Sequence, residues 1–521
     1  WVIDNQGVGR LNDSLGFTNI ANLQGGDFVD VFSITNLAWL NGTVDGGGGN
    51  DTVDLIAMDK AVEVAVDAQT QADINLLNIE VINANNNFLN TLKGSPNANE
   101  WHINSLNGGV LNSTINFTGF GNLIGSNMDD LVVFDNAAAN LSGHLDMGNG
   151  QDVLDLGASD RDITVQLNSS KNALANNIVS ISGVEEIIAA ENRSNRLIAD
   201  NHNNNWVIDN TDAGRVSSIE EGTITFANFK HITGGSNDDS FVFEALGSIT
   251  GLLDGGSQLG RDTVDLSRSN NANAVIASAD NLGYINIEKY IGNNIDSTLT
   301  AADVVNNWLL SGANQGVLNN NIEFINFSDL KGGNKQDNFI INNATISGSI
   351  DSGDGDDTFN IQDGVIAEKI YAGNGNDQFE FVVMPGFDGV VNIDGGEGNN
   401  RLSVKGGDAN YKVSHQLGST EYIDGNNNTY SILYSNLSNI VDEVVASSLS
   451  IFGTEAANTF RLQTGSYSID NSHLVNYSNK ENFVVNGSAD DTAIVDGIVK
   501  FDGGITFSNL QVLSENGGLL Q

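Results

Sequence analysis

The sequence predicts an all-β protein folded as a right-handed parallel β-solenoid (β-helix) with about 20–23 residues per coil. Three observations support this fold class. Apolar residues recur at a short interval, the segments between them alternate like β-strands, and turns rich in glycine and aspartate separate these segments. Because such a step is too short for a repeated pair of helices, each step is expected to form one coil.

A longer repeat of about one hundred residues contains these short steps. Four of the five tryptophans mark it, at Trp1, Trp101, Trp206 and Trp308, and Tyr411 follows at a similar distance. The sequence therefore predicts four solenoid repeats, the fourth with the most regular turns, and a C-terminal segment of degenerate repeats or a cap. The corresponding boundaries are 1–100, 101–205, 206–307, 308–410 and 411–521.

The short step is visible in the apolar residue that precedes each turn. Residues one step apart are expected to stack on successive coils. They form the series Leu23 and Val44, Leu123 and Leu145, Ile232 and Leu253, and Leu330, Ile350, Ile370 and Ile393.

The segments between turns have the alternation of strands. Thr52–Leu55, Val62–Val66 and Ile163–Leu167 place apolar residues at every second position and are rich in β-branched side chains. The chain has only 2 prolines, which suits a stack of hydrogen-bonded strands because proline lacks the N–H donor. Parallel strands joined by tight turns and stacked coil on coil make a right-handed solenoid.

The composition excludes several classes of function. The 521-residue chain has a formal net charge of −45, which repels phosphate and argues against nucleic acid and anionic membranes as partners. It has no cysteine, so disulfides and thiolate metal sites are excluded. No apolar run is long enough to predict a membrane-spanning helix. The chain opens at Trp1 without an initiator methionine, so we expect it to be part of a larger protein.

The glycine- and aspartate-rich turns contain the candidate metal ligands. Glycines allow carbonyl groups to point inward, and aspartates add the oxygens that Ca²⁺ prefers. The same residues also suit any tight turn without a metal, so calcium binding and turn chemistry both remain open. The best candidate calcium site is the stack of three turns in the fourth repeat. Its candidate ligands are Asp351, Asp354, Asp356, Asp357, Asn374, Asn376, Asp377 and Asp394.

These turns resemble the repeats of RTX-type secreted bacterial proteins, in which stacked turns hold Ca²⁺. Here they recur every 20 to 23 residues instead of in immediate tandem, so ions could be shared only between turns on successive coils. The phrases Asn78–Ile82, Gly183–Ile188 and Asn286–Ile291 also resemble connectors of large bacterial adhesins, including filamentous-haemagglutinin-like exoproteins. The resemblance implies a secreted, extracellular protein of the bacterial cell surface.

We therefore expect a structural or adhesive module, a stiff stalk or filament segment for attachment, matrix or biofilm. Its expected partners are other copies of itself and surface glycans or proteins. We do not expect an enzyme, because the histidines, lysines and arginines form no cluster in the sequence. Two alternatives remain: a carbohydrate-active β-helix enzyme, such as a polysaccharide lyase or depolymerase, and a surface-layer protein.

Overall fold

The computed structural model of the chain consists of β-strands and turns. It describes residues 1–4, 8–35, 42–67, 72–169, 172–175, 178–218, 222–257, 260–276, 283–366, 368–386, 388–472 and 474–520. The chain divides into two compact units, Trp1–Thr263 and Val264–Gln521. No helix among these residues has both the length and the apolar character needed to cross a lipid bilayer.

The first unit is built from short strands. They are β1 (Val2–Ile3), β2 (Val8–Leu11), β3 (Leu15–Thr18), β4 (Leu23–Gln24), β5 (Val31–Ile34), β6 (Thr43–Asp45), β7 (Thr52–Leu55), β8 (Glu63–Val66), β9 (Ile74–Leu77), β10 (Val81–Ala84), β11 (Asn90–Lys93), β12 (Glu100–Ser105), β13 (Gly108–Leu111), β14 (Ile115–Thr118), β15 (Phe120–Ser126), β16 (Leu131–Phe134), β17 (Leu141–Gly148), β18 (Val153–Asp155), β19 (Thr164–Ser169), β20 (Asn172–Ala175), β21 (Ile178–Ser182), β22 (Glu186–Ile188), β23 (Arg196–Ile198), β24 (Asn204–Asn210), β25 (Ala213–Ser218), β26 (Gly222–Ala227), β27 (His231–Gly235), β28 (Ser240–Phe243) and β29 (Leu252–Gly256).

These strands form two long sheets. The first sheet has the spatial order β3-β2-β1-β5-β7-β10-β14-β13-β12-β16-β18-β22-β26-β25-β24-β28. The second has the order β4-β6-β9-β8-β11-β15-β17-β21-β20-β19-β23-β27-β29.

The second unit repeats this plan. Its strands are β30 (Thr263–Asp265), β31 (Ala274–Val275), β32 (Gly283–Ile285), β33 (Lys289–Ile291), β34 (Thr298–Thr300), β35 (Asn306–Ala313), β36 (Gln315–Leu318), β37 (Ile322–Ile325), β38 (Asp329–Lys331), β39 (Asp337–Ile346), β40 (Ile350–Asp351), β41 (Thr358–Ile366), β42 (Ile370–Tyr371), β43 (Gln378–Val383), β44 (Gly389–Asp394), β45 (Arg401–Gly406), β46 (Lys412–Gln416), β47 (Ser419–Ile423), β48 (Thr429–Ser435), β49 (Asn439–Asp442), β50 (Ala446–Phe452), β51 (Thr459–Gln463), β52 (Ser466–Ile469), β53 (Leu474–Tyr477), β54 (Lys480–Asn486), β55 (Thr492–Val499), β56 (Gly504–Ser508) and β57 (Gln511–Leu520).

Two sheets again organise the unit. One has the order β33-β37-β36-β35-β39-β41-β43-β45-β49-β53-β52-β51-β55-β57. The other has the order β31-β34-β38-β40-β42-β44-β48-β47-β46-β50-β54-β56. In each unit the strands bury alternate residues, as in β7 and β16 of the first and β49 and β51 of the second, so a core of inward-facing side chains runs along the stack.

The long parallel sheets confirm the predicted β-solenoid. The predicted coil register is also confirmed, because the structure pairs Leu23 with Val44, Leu123 with Leu145 and Ile232 with Leu253. In the second unit Leu330, Ile350, Ile370 and Ile393 occupy one column on four successive coils. An apolar residue before a turn therefore identifies the neighbouring coil correctly.

The parallel stack also contains antiparallel three-stranded meanders, which were not predicted from the sequence. Strands β12, β13 and β14 form one such meander. The third strand, β14, pairs with the preceding coil at β10, whereas the first strand, β12, pairs with the following coil at β16. The order of strands in space is therefore reversed relative to the chain at each meander, and the middle strand runs antiparallel to the rest.

Four meanders, each in the first-named sheet of its unit, begin at the repeated tryptophans. A glycine eight residues after each tryptophan lies on the middle strand, next to an aromatic pair. Gly9, Gly109, Gly214 and Gly316 lie opposite Phe17, Phe117, Phe226 and Phe324 in register. Each phenylalanine ring contacts the tryptophan edge to face at centroid distances of 5.6–5.7 Å. A Cβ atom at Gly9 would collide with the Phe17 ring, and one at Gly316 would lie 2.7 Å from Phe324 Cζ.

The tryptophan rings also stack along the solenoid. Trp1, Trp206 and Trp308 lie nearly parallel to Phe32, Phe241 and Phe339 of the following coil. The last of these pairs extends through Phe359 and Phe379 as a column of four rings with centroids 4.9–5.4 Å apart. The repeated aromatic positions are thus packing positions in the core.

Hairpin chemistry explains several of the asparagines. Type I′ turns need positive φ at two successive residues, which asparagine and aspartate tolerate better than other side chains. The loops between the second and third meander strands meet this need with Asn12 and Asp13, Asn112 and Ser113, Asn319 and Asn320, and Asp470 and Asn471.

The meander glycine gives a test of this packing. We expect Gly109→Ala to destabilise the protein by about 1–3 kcal/mol, because the added methyl group overpacks the site against the His102 carbonyl. The control is Gly16→Ala in β3, where a Cβ atom has no neighbour within 4 Å. Thermal unfolding followed by circular dichroism measures both variants, and equal melting temperatures would contradict the packing role of Gly109.

Candidate functional site in the stacked turns

The eight predicted metal ligands lie on the turns that leave β40, β42 and β44, three successive coils of the second unit. The structure sorts them into separate columns that run from coil to coil. Two columns are exposed and one is buried, and Asp351 and Asp394 lie apart at the ends of β40 and β44. The stacking that the sequence predicted for these turns is therefore present, but the eight residues do not form one cluster.

The exposed columns are made of hydrogen bonds between equivalent residues of successive coils. Asn374 Nδ2 donates to Asp354 Oδ1 at 2.6 Å. Asn376 donates to Asp356 Oδ1 through its backbone N–H at 2.8 Å and through its side-chain amide at 3.2 Å. The next coil continues the column, since the Asn399 N–H donates to Asn376 Oδ1 at 3.1 Å. These carboxylate oxygens thus join neighbouring coils directly.

Asp351 and Asp394 have basic partners. Lys331 Nζ is 3.7 Å from Asp351 Oδ2 in an exposed pair, whereas Lys369 Nζ is 2.8 Å from Asp394 Oδ2 in a half-buried pair. Asn436 Nδ2 also donates to Asp394 Oδ1 at 2.6 Å. Burial alone would raise the pKa of Asp394, but the hydrogen bonds from Lys369 and Asn436 outweigh it and lower that pKa to about 2.

The buried column, which we call the end-of-turn ladder, is formed by the last residue of each turn. The backbone N–H of Asp337 donates to Asp357 Oδ1 at 2.7 Å, and Asp357 donates in the same way to Asp377 at 2.9 Å. Asn306 begins this run and Asn400 ends it. In return, the residue after each aspartate donates to a backbone carbonyl one coil back, as Gln378 does to Asp357 at 2.9 Å. Successive coils are therefore linked in both directions.

The same ladder recurs in both units. Its donor-to-acceptor distances are 2.5–3.2 Å throughout. The runs are Asp30, Asp51 and Glu80; Asn99, Asp130, Asp152 and Glu185; Asn204, Asp239 and Asp262; Asn306, Asp337, Asp357, Asp377 and Asn400; and Asn458 and Asp491.

Two of the recurrent phrases that resemble adhesin connectors have a role in this ladder. Glu80 Oε2 accepts the Asp51 N–H at 2.7 Å, and Glu185 Oε2 accepts the Asp152 N–H at 2.9 Å. Each glutamate is the third residue of its phrase, and each ends a run of the ladder. The phrases therefore supply an oxygen acceptor where the next coil has no glycine-rich turn.

The second carboxylate oxygen of several ladder aspartates has an unusual environment. Oδ2 is buried and has no hydrogen-bond partner in Asp152, Asp239, Asp357 and Asp377. At the end of the same ladder, the Asn400 amide Nδ2 donates to the Gly395 carbonyl of its own turn at 2.6 Å. A proton on Oδ2 would allow each aspartate to donate as asparagine does. The position therefore favours the protonated carboxyl.

Burial raises the pKa of these carboxyl groups. The pKa is about 7 for Asp239 and Asp357 and about 6 for Asp152 and Asp377. Desolvation is the main cause, and backbone N–H donors oppose it in each case. Neighbouring carboxyls add to the shift, for example Asp337 and Asp377 on either side of Asp357.

The predicted calcium site can be tested against this donor set. Ca²⁺ requires six to eight oxygens around one point. In the described part of the chain, no group of three or more histidine, cysteine, aspartate or glutamate side chains is arranged to hold a metal ion. Instead, one oxygen of each of Asp354, Asp356, Asp357 and Asp377 already accepts hydrogen bonds from a neighbouring coil. The side chains alone thus do not form a calcium cage, and calcium binding stays a prediction.

A scan of this chain against models of protein families found no match, and a search of curated proteins found none either. No family assignment therefore supports a particular function.

The raised pKa values predict how stability depends on pH. An aspartate whose pKa is higher in the folded state stabilises the fold fully below the pKa of the unfolded chain, near 4. That contribution is lost as pH rises through about 6–7, the folded values of Asp377 and Asp357. We therefore expect the melting temperature to fall between pH 5 and pH 7.5, and Asp357→Asn to reduce the fall.

The matched control for this prediction is the adjacent, exposed Asp356. Asp356→Asn removes the same charge from the same turn but leaves the buried ladder intact, so we expect the fall between pH 5 and pH 7.5 to be retained. Melting temperatures of the three proteins across this range measure the difference. If Asp357→Asn and Asp356→Asn give the same pH profile, the buried carboxyl of Asp357 is not the titrating group.

Calcium binding to the turns is tested by a separate measurement. If an ion binds these turns in the folded state only, added Ca²⁺ raises the melting temperature with concentration and a chelator lowers it. We expect Asp354→Asn combined with Asp356→Asn to abolish that response while the protein remains folded. A melting curve that is the same in excess chelator and excess Ca²⁺ would leave turn chemistry as the full explanation.

Proposed function

We propose that this chain is a structural and adhesive module of a secreted bacterial cell-surface exoprotein. It acts as a stiff stalk or filament segment in attachment, matrix or biofilm. Its partners are other copies of itself and surface glycans or proteins, and it inserts into no membrane and binds no nucleic acid.

The observation that carries this proposal is the continuity of cross-coil hydrogen bonds within each unit. Backbone ladders run along the sheets, and the end-of-turn ladder adds a second, side-chain connection at the turns, for example between Asp337, Asp357 and Asp377. Bending or stretching a coil relative to its neighbour has to lengthen both sets of bonds. Stiffness along the stack is the property that such an arrangement supports best.

The outer surface of the turns suits an extracellular environment. Exposed Asp354 and Asp356 belong to a chain with a net charge of −45, which keeps such a surface hydrated and discourages phosphate-bearing partners. Neutral glycans and polar protein surfaces are the compatible partners. No cysteine is present, and the rigidity that disulfides often give extracellular proteins comes here from hydrogen bonds and stacked rings.

A display experiment tests the proposal. The chain is anchored on the surface of a non-adherent bacterium with an epitope tag at its free end, and retention on glass, glycan arrays and cells that display the same chain is measured. The control replaces the chain with a flexible Gly/Ser linker of the same number of residues. We expect better exposure of the tag and greater retention with the chain than with the linker.

Electron microscopy and a substrate screen decide between this proposal and its rivals. Isolated fibres on the displaying cells support the stalk or filament, whereas a planar lattice would assign the chain to a surface layer. Release of oligosaccharides from a panel of neutral and acidic polysaccharides would assign it to the carbohydrate-active enzymes. Retention no greater than that of the linker would remove the adhesive role.

A further inference from the structure

A group of ionisable side chains lies in the core of the second unit, away from the stacked turns. His415 on β46, Asp442 at the end of β49 and Lys480 at the start of β54 meet there. The side chains of Asp442 and Lys480 are fully buried, and that of His415 is 1% exposed. Since lysine and aspartate are rarely buried completely, this group calls for a physical explanation.

The two carboxylate oxygens of Asp442 face different partners. Lys480 Nζ is 3.0 Å from Oδ1, and His415 Nε2 is 2.9 Å from Oδ2. The lysine nitrogen also donates to the Val444 carbonyl at 2.6 Å, to the Ser478 carbonyl at 2.8 Å and to the Asp442 carbonyl at 3.4 Å. The amine is therefore held against one side of the carboxyl group and the imidazole against the other.

A tyrosine orients the imidazole. Tyr467 Oη lies 2.5 Å from His415 Nδ1, and burial raises the pKa of Tyr467 well above its ordinary value, so the phenol stays neutral and can donate to Nδ1. His415 Nε2 then lies 2.9 Å from Asp442 Oδ2, although neither atom makes a regular hydrogen bond. This arrangement places an imidazole nitrogen beside one oxygen of the carboxyl group and an amine beside the other.

The pKa shifts of Asp442 and Lys480 indicate the charge state of the pair. Burial alone would raise the pKa of Asp442, but the neighbouring His415 and Lys480 hold that pKa below its ordinary value. Burial lowers the pKa of Lys480 despite the neighbouring carboxylate. The resting pair is thus an ion pair whose lysine gives up its proton more readily than a solvated lysine does.

We propose that Lys480 and Asp442 condense to form an intramolecular amide cross-link, with His415 as the proton donor to the leaving oxygen. One proton first moves from the Lys480 ammonium to the carboxylate. The amine Nζ then attacks Asp442 Cγ. The tetrahedral intermediate loses Oδ2 as water once this oxygen carries two protons, the one from the ammonium, transferred from Oδ1 to Oδ2, and one from His415 Nε2. The second Nζ proton returns to the imidazole, directly or through the released water.

The reaction balances without any external reactant. An ammonium and a carboxylate become an amide and one water, the N–C bond replaces the C–Oδ2 bond, and no oxidation occurs. Burial favours the amide because it removes two buried charges whose desolvation is costly. The amide N–H can still donate to the Val444 carbonyl, which Nζ contacts in the ion pair.

The cross-link would join the two sheets of this unit. Asp442 belongs to the sheet that contains β49, and Lys480 to the sheet that contains β54. A covalent bond between them closes a loop across the core that no stretching of hydrogen bonds can open. The inference stands independently of the proposed function, since any protein with this geometry could form the bond.

Mass spectrometry of the purified full chain tests the proposal. We expect the denatured protein to be lighter than its sequence mass by one water. After digestion, the peptide that contains Asp442 should be joined to the peptide that contains Lys480, and trypsin should not cleave after Lys480. Lys480→Arg should restore the full mass, because the guanidinium cannot form this amide. His415→Gln should slow cross-link formation by about 10²-fold or more.

The chain contains a matched internal control. Lys369 Nζ and Asp394 Oδ2 are 2.8 Å apart, but both side chains are more than one-fifth exposed. Their peptides should therefore remain separate, which also distinguishes a specific cross-link from general loss of water. If Lys480→Arg does not fold, the peptide map of the unaltered protein still decides the question. An intact sequence mass with separate Asp442 and Lys480 peptides would overturn the proposal and leave a buried ion pair.

Discussion

The interaction on which the parallel stacks of this structure depend is the bond at the end of the turns, where, within each run of the ladder, a side-chain oxygen of one coil accepts the N–H of the coil before it. Within each run this bond holds successive coils in register. Aspartate, asparagine and glutamate all meet the requirement, as the run from Asn99 through Asp130 and Asp152 to Glu185 shows. Part of the acidity of the chain therefore has a structural origin, because each coil within a run presents a side-chain oxygen at this position.

The aromatic positions depend on the same register. A tryptophan ring contacts both an aromatic ring of the next coil and the phenylalanine of its own meander. Both contacts are possible only when the middle strand has no side chain at the position paired with that phenylalanine. Glycine at that point allows the 5.4 Å stack of Trp308 on Phe339 together with the edge-to-face contact of Trp308 with Phe324. In the meander of β51, β52 and β53, Phe460 occupies the position that tryptophan has in the others, two residues after the ladder residue Asn458.

The sequence predicted the fold class and the coil register, because residues 20–23 apart with the same local pattern have to stack in a solenoid. It did not predict the meanders, since an antiparallel strand has the same apolar alternation as a parallel one. The glycine eight residues after each tryptophan, as at Gly109 after Trp101, was the available signal. Among the predicted site residues, Asp357 and Asp377 belong to the buried ladder. The group formed by His415, Asp442 and Lys480 could not be predicted, because tens of residues separate them in the sequence and no local motif links them.

The reversed strand order at each meander has a consequence for the newly made chain. Strand β10 pairs with β14, although β12 and β13 precede β14 in the sequence. A chain that emerges from its N-terminus cannot add β12 directly to the finished coil, because the place beside β10 belongs to a strand that has not yet appeared. We therefore expect growth of the solenoid to pause at every meander until the whole hairpin has emerged, so that the protein is completed in blocks of several coils. Vectorial folding during synthesis would show the same discontinuous progress.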